Sequence, residues 1–565
     1  MAQNPYKETG IFVIMGSRLI RSLVVVGLVA FSGAGLPAAA HAQGLEAASL
    51  AALPAPRLIF SDDEMALARA VAGSPGLADF YGSNGLKRIF SGPEAAIRRN
   101  ALINAIETAS SHGLPPSRYN PARLLELDGE GGASLQAELA FARSFARWTQ
   151  DLTGGVLDPR KVSSGIKRAV HRKPTGEMMR EFVAAPDPAA WLADLAPHDK
   201  DYLALQQALH GMSRLAAPVG TPKVPNGTWR EGSEGEGVLL LRERLAAIGF
   251  PARPTGDMSV FDAALGQSVA EFQDASGLHA DGVAGPHTVA RMNRGIGPEA
   301  KGILIALERM RWMHGYDMNA RHVWVNLPSY TATIRENGET VFSTKVVIGK
   351  DEDTHETPEF SENMKHVVAN PRWNVPRSIT VKEYLPRLQA NRNAVSHIDV
   401  VDRAGNIIPR SQIDFGRYTA SNFPYRMRQK SSDDNALGVV KFLFPNPWNI
   451  YLHDTPTKHL FNETRRAYSH GCIRVGRPLD LANELLKGQF ANPEARFSKA
   501  LASGRESYLN LTHPLPVHLV YFTAFPDENG KIRRYPDIYG RDAAVYAALV
   551  KAGLDSGLET GGQGN

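Results

Sequence analysis

Cys472 is the only cysteine in 565 residues, and it stands in a histidine-bearing stretch: Tyr451-Leu452-His453-Asp454, then Tyr468-Ser469-His470-Gly471-Cys472-Ile473-Arg474-Val475. With no second thiol in the chain to pair with, Cys472 is either a small buried hydrophobe or a reactive thiolate. Acyl chemistry on a thiol needs an imidazole to take its proton, a group to hold that imidazole, and amide donors for the oxyanion. Two imidazoles are candidates. His470 lies two positions before the thiol. His453 ends the apolar run Trp448, Ile450, Tyr451 and Leu452, which reads as a strand presenting His453 toward the loop of the thiol. Gly471 allows a sharp turn and close backbone approach beside Cys472. Ser469 neighbours His470, but adjacent residues seldom pair as nucleophile and base, and no Gly-x-Ser-x-Gly elbow surrounds it. Spacing alone leaves a structural cysteine open.

Beyond spacing, His453 with Ser469-His470-Gly471-Cys472-Ile473-Arg474 resembles the signature of the L,D-transpeptidases, cysteine acyltransferases of bacterial cell-wall peptidoglycan. Lys441-Phe442, Pro445-Asn446, Asp454-Thr455-Pro456, Leu460-Phe461 and Arg465 are similar to the large periplasmic branch of that family. The resemblance implies a ping-pong transfer. His453 takes the thiol proton, and Cys472 attacks the diaminopimelate carbonyl of a tetrapeptide stem, releasing D-alanine. The side-chain amine of another stem's diaminopimelate then resolves the thioester into a 3-3 cross-link. The same resemblance implies that the Asp454 backbone carbonyl orients His453, that the Gly471 and Cys472 amides form the oxyanion site, and that carbapenems acylate the thiol. It calls for no cofactor and no metal. His470 is expected to shape the cysteine loop, and Arg474 to receive a substrate carboxylate or lock the loop. Tyr451, two residues before His453, shares its strand face and lines the pocket or packs the core. The same thioester would serve an L,D-carboxypeptidase, D-amino-acid exchange, or attachment of an envelope protein to the wall. A non-enzymatic cell-wall scaffold is the remaining alternative.

The elements that must position these residues read as several domains, since 565 residues exceed what one core supports. A formal charge of +5 is too small and diffuse to argue for nucleic acid, although it suits an anionic envelope polymer. Residues 1–42 read as a signal peptide, with Lys7, Arg18 and Arg21 before the apolar run Leu23 to Phe31 and Ala40-His41-Ala42 as cleavage pattern; a membrane anchor is the alternative. The rest is therefore expected in the periplasm. Residues 60–217 are helical in pattern, with Asp62 and Asp63 as capping residues and Ile97, Ala101 and Ile106 on one apolar face. The stretch 218–234 is a linker by its prolines and glycines. Residues 235–293 resemble a small three-helix peptidoglycan-binding domain that would hold glycan or brace its neighbour.

From 302 to 550 the alternation changes to that of a mostly β catalytic domain. His322 to Leu327, Tyr330 to Arg335 and Val341 to Ile348 read as strands, the last two joined at Asn337-Gly338; a second hairpin is expected at Asn529-Gly530. Residues 377–438 form a polar insertion, which in the resembling branch is a cap that excludes water. Its simpler reading is a surface loop. Trp373 and Tyr425 are candidates to line the channel beneath it, or to pack the insertion. Residues 556–565 read as a flexible tail. The fold expected is thus an α-helical scaffold, a three-helix module and a mostly β catalytic domain with an inserted cap.

Overall fold

The computed structural model describes residues 60–213, 221–293, 297–352 and 354–554. The expected signal peptide and C-terminal tail lie outside them. The chain is multidomain, with a helical N-terminal region, three helices over the small module and a mostly β catalytic domain.

The helical region opens at Asp62–Val71. Its cap is Ser61, whose hydroxyl accepts from the Glu64 amide while Glu64 reaches back to the Ser61 backbone. Asp62 and Asp63, expected as caps, instead occupy the first turn, where their charge suits the helix dipole. The long helix Leu135–Gly154 buries Phe141, Phe145, Trp148 and Leu152, one face of a 3.6-residue period. Ile97 departs from expectation: it is 61% exposed, and the helix Ala96–Glu107 turns Leu102, Ile103 and Ile106 inward. Arg99 is buried on the same helix because Asp128 and the carbonyls of Phe90 and Gly92 satisfy its guanidinium.

The small module comprises helices Glu236–Ala247, Ala263–Ala275 and Pro286–Asn293 around Leu241, Leu245, Leu265, Phe272 and Val289. The segment read as a linker belongs to it from residue 221 onward. Val224 is buried and exchanges two hydrogen bonds with the Asn293 amide, while Trp229 packs over Gly237 and pairs with Ala284. On either side of the module in sequence, the helices Lys200–Ser213 and Gly297–Arg311 share one apolar cluster, built from Tyr202, Leu205, Ile303, Leu307 and Met310.

The catalytic domain holds fourteen strands in chain order: β1 His322–Asn326, β2 Thr331–Glu336, β3 Glu339–Gly349, β4 Phe360–Ala369, β5 Trp373–Asn374, β6 Ile398–Val401, β7 Arg426–Gln429, β8 Val440–Leu443, β9 Leu452–His453, β10 Ala467–Ser469, β11 Ile473–Val475, β12 Ser507–Val520, β13 Ala524–Pro526 and β14 Ile532–Arg534. Nine of them run in the order β10-β3-β11-β9-β8-β4-β12-β1-β2, and β2 pairs back onto β3, closing the sheet on itself. The β2–β3 turn is Asn337-Gly338, both with positive φ, as the twist of a two-residue hairpin requires. Inward-facing Val323, Val325, Val367, Phe442, Leu452, Ile473 and Val517 fill the interior.

The insertion is a folded subdomain. Its three-stranded sheet, β5-β7-β6, and the helical stretch from Arg377 to Ala390 enclose Ile379, Leu385, Leu388, Val400, Phe415 and Met427. A surface loop would not bury that many apolar side chains. Because they are dispersed over short elements among arginines and asparagines, the segment looks polar in sequence.

Candidate active site

The loop Phe444 to Ile450 delivers β9. Asn446 organises it, accepting from the Trp448 and Ile450 amides and donating to the Phe444 and Ile450 carbonyls. Strand β9 then runs parallel to β11 with Arg474 opposite His453, and the Ile473 amide bonds the Tyr451 carbonyl. Tyr451 and His453 therefore share a face with Cys472 and Arg474. All four line a cavity of about 360 Å³ together with Ser469 and His470.

His453 is buried, and its Nδ1 donates to the backbone carbonyl of Asp454. A carbonyl can only accept, so Nδ1 carries the hydrogen and Nε2 keeps its lone pair. The Asp454 carboxylate faces elsewhere. It takes the Val439 amide at 2.9 Å, the Thr455 amide at 2.7 Å and Lys458. Gly438 leaves it room: a Cβ there would meet Asp454 Oδ2 at 2.2 Å.

The cysteine loop is held from below. Gly471 adopts φ +111°, and its carbonyl accepts from Thr357 Oγ1 at 2.8 Å, while the same hydroxyl accepts from the Gly349 amide at 2.9 Å. Ser469 Oγ donates to the Cys472 carbonyl and accepts from the Gly471 amide. The thiol donates to the Asn449 carbonyl at 3.5 Å.

Three family profiles match the chain: an L,D-transpeptidase catalytic domain over residues 320–492, a scaffold domain over 75–209, and a peptidoglycan-binding domain over 234–292. A Haemophilus influenzae protein whose name places it among the L,D-transpeptidases is 36% identical over 230 residues. Residues 320–492 are thus similar to an L,D-transpeptidase catalytic domain, preceded by stretches similar to a scaffold and a peptidoglycan-binding domain. That alignment covers 40% of this chain and 46% of the relative, so more than half of the relative's length is unmatched. Among solved structures, the L,D-transpeptidase of Xylanimonas cellulosilytica is 16% identical with a TM-score of 0.14, spanning 54% of this chain and all of that one. A fused Zn-dependent amidase/peptidase with a peptidoglycan-binding domain from Clostridium acetobutylicum is 10% identical with a TM-score of 0.15, spanning 52% of this chain and all of that one. Those scores are too low for a shared fold to be read from them.

Burial pushes the Cys472 thiol up to about 11, against hydrogen bonding from Tyr451 and the positive charge of Arg474. Burial, with Arg474 adding to it, pulls His453 down to about 4. The resting pair is therefore a neutral thiol and a neutral imidazole. Arg474 donates to Thr457 Oγ1 at 3.0 Å, and among the described residues no carboxylate pairs with it. A half-buried guanidinium without a counter-ion facing a cavity suits an anionic ligand. Tyr451 lies against both Cys472 and Trp373, and burial holds its phenol protonated.

One expectation changes. The Gly471 amide is engaged by Ser469, so it is not an oxyanion donor in this geometry; among the described residues nothing accepts from the Cys472 amide. His470 lines the cavity and reaches the cap. Its Nε2 meets Glu383 of the cap at 2.7 Å, and its ring sits edge-on to His355 at 4.6 Å. Trp373 lines the cavity, whereas Tyr425 packs with Tyr418 and Phe423 on the other side of the cap. Sequence reading missed Thr357 and Glu383 as site residues, for they lie 115 and 89 positions before Cys472. Thr357 falls in Thr357-Pro358-Glu359-Phe360-Ser361, which continues the family resemblance without giving it a role, and nothing local marks Glu383.

Proposed function

We propose that the chain is a peptidoglycan L,D-transpeptidase that forms 3-3 cross-links between diaminopimelate residues through a Cys472 thioester, releasing D-alanine. The observation that carries this reading is the orientation of His453: Nδ1 is spent on the Asp454 carbonyl, leaving a basic Nε2 on the sheet face of the only thiol. The thiol at about 11 and the imidazole at about 4 do not form an ion pair at neutral pH. His453 takes the proton as sulfur attacks, and returns it to the departing D-alanine amine. The Cys472 amide donates to the developing oxyanion. Arg474 holds a stem carboxylate, and the cap, through Trp373, Tyr384 and Glu383, roofs the cavity against water so that an amine resolves the thioester. Carbapenems would acylate the same sulfur. The signal-like residues 1–42 support export, and the periplasm, beside the polymer, is the compartment this reading calls for.

The test is mass spectrometry of products after incubation with disaccharide-tetrapeptide. Dimers joined between two diaminopimelate residues with loss of D-alanine are expected. Tripeptide monomer alone would replace the reading with a carboxypeptidase, and product from a Cys472→Ala protein at the wild-type rate would sink the thioester.

A further inference from the structure

The cap presents a second face. Along β7 the side chains alternate, so Gln429 lines the catalytic cavity while Arg428 and Arg426 point to the opposite side; on β5, Trp373 and Asn374 divide the same way. That opposite side is a cleft of about 920 Å³, bordered by Arg377, Arg403, Arg426 and Arg428, with Tyr425 on its wall. Residues 377–438 contain ten arginines and lysines against six carboxylates, and so hold most of the formal +5 of the whole chain.

Of the six carboxylates of the cap, Asp434 lines the catalytic cavity and three others meet partners away from the cleft arginines. Glu383 meets His470, Asp399 is 3.7 Å from Lys430, and Asp414 pairs with Arg417. Asp402 borders the cleft, but its two oxygens accept from the Asn406 amide and side chain at 2.8 and 2.9 Å. Among the described residues none of the four cleft arginines has a carboxylate within ion-pair distance. Arg377 donates to the Ala420 carbonyl, and Arg428 makes only a 3.4 Å contact to the Gly405 carbonyl while its Nε has no partner. Arg403 and Arg426 are exposed. Four like charges on one cleft repel one another, and Asp402, the one carboxylate bordering the cleft, offsets at most one of them.

We propose that this cleft docks the carboxylates of a peptidoglycan stem adjacent to the one in the catalytic cavity, so that a single small sheet grips the polymer on both faces. The proposal rests on the function given above. Planar guanidinium forks fit carboxylates two bonds at a time, and stem peptides repeat along a glycan strand. A polymer bearing one stem in the cavity brings its neighbours to the cleft at high local concentration, which multiplies two weak contacts.

The experiment is co-sedimentation of the full chain carrying Cys472→Ala with purified sacculi across a salt series. Adding Arg403→Gln and Arg426→Gln should weaken capture roughly tenfold at low salt and flatten its salt dependence. Arg403→Lys with Arg426→Lys should keep most of the capture. Sacculi amidated with carbodiimide should bind the parent at least as weakly as untreated sacculi bind the double Gln protein, and should not distinguish the two proteins. Equal capture by the Gln protein and its parent overturns the proposal, as does indifference to amidation. A loss seen on phosphatidylglycerol–phosphatidylcholine vesicles but not on sacculi assigns the cleft to lipid phosphate and also overturns it. Turnover of soluble disaccharide-tetrapeptide, measured with Cys472 present, should be equal in wild type and Arg403→Gln/Arg426→Gln. If wild type fails to turn it over, the proposed activity falls, while the sedimentation result still decides the cleft.

Discussion

A chain with one cysteine allows the resting state of its nucleophile to be titrated without interference. Burial places the Cys472 thiol at about 11, from an ordinary value of 9.0, so at neutral pH it holds about a hundredfold less thiolate than an unperturbed cysteine. Only the thiolate alkylates. Iodoacetamide labelling of the native protein, followed by intact mass, should therefore be roughly a hundredfold slower at pH 7 than labelling after unfolding. The native rate should climb about tenfold per pH unit up to about 10, whereas the unfolded rate levels near 9. His453→Gln should leave the alkaline labelling rate within a few fold, because a preformed thiolate needs no base. The same change should reduce thioester formation from disaccharide-tetrapeptide by about 10² to 10⁴, the usual worth of a positioned general base. With His453 at about 4 and the thiol at about 11, acylation of wild type should be flat between roughly pH 5 and 10 and fall only below, as the imidazole protonates. Labelling that levels off by pH 8 would mean a preformed thiolate–imidazolium pair and would refute the neutral-pair mechanism.

Thr357→Val keeps the shape of a fully buried side chain but strands the Gly349 amide and the Gly471 carbonyl, so denaturant titration should show a loss of about 2–4 kcal/mol and kcat should fall more than tenfold. Gly471→Ala puts a Cβ at φ +111° and 3.2 Å from Ile450, which should cost about 1–3 kcal/mol by the same titration and nearly abolish transfer. Arg474→Gln should raise KM for a carboxylate-bearing donor far more than it lowers the alkaline alkylation rate; equal effects on both would make Arg474 a structural residue. Glu383→Gln removes the carboxylate that meets His470 across the cap boundary, and hydrolysis relative to cross-linking, read by product mass, should increase.

Much of the site was legible because its signal is local. Cys472, His453 and Arg474 lie within 22 consecutive residues, and strands pair over short distances, so period-two alternation in Tyr451 and His453 correctly assigns them one face. The Asn337-Gly338 hairpin was legible for the same reason: two residues with positive φ admit few sequences. Errors arose where partners came from afar. Ile97 sits where a helical stripe would bury it, but the helix is rotated so that Arg99 reaches Asp128. The linker prolines near Val224 look like spacer, yet Asn293, 69 residues later, anchors them.

The sequence by itself determined which reactive groups are present: one thiol, an imidazole at a strand end and a glycine beside the thiol. Tertiary structure decided which hydrogen-bonding groups remain free. Ser469 takes the Gly471 amide, Glu383 takes His470, and Asp454 offers His453 its backbone carbonyl while its carboxylate serves Val439 and Lys458. Each donor and acceptor can be spent on few partners, and which partner reaches it first depends on elements that only folding brings together.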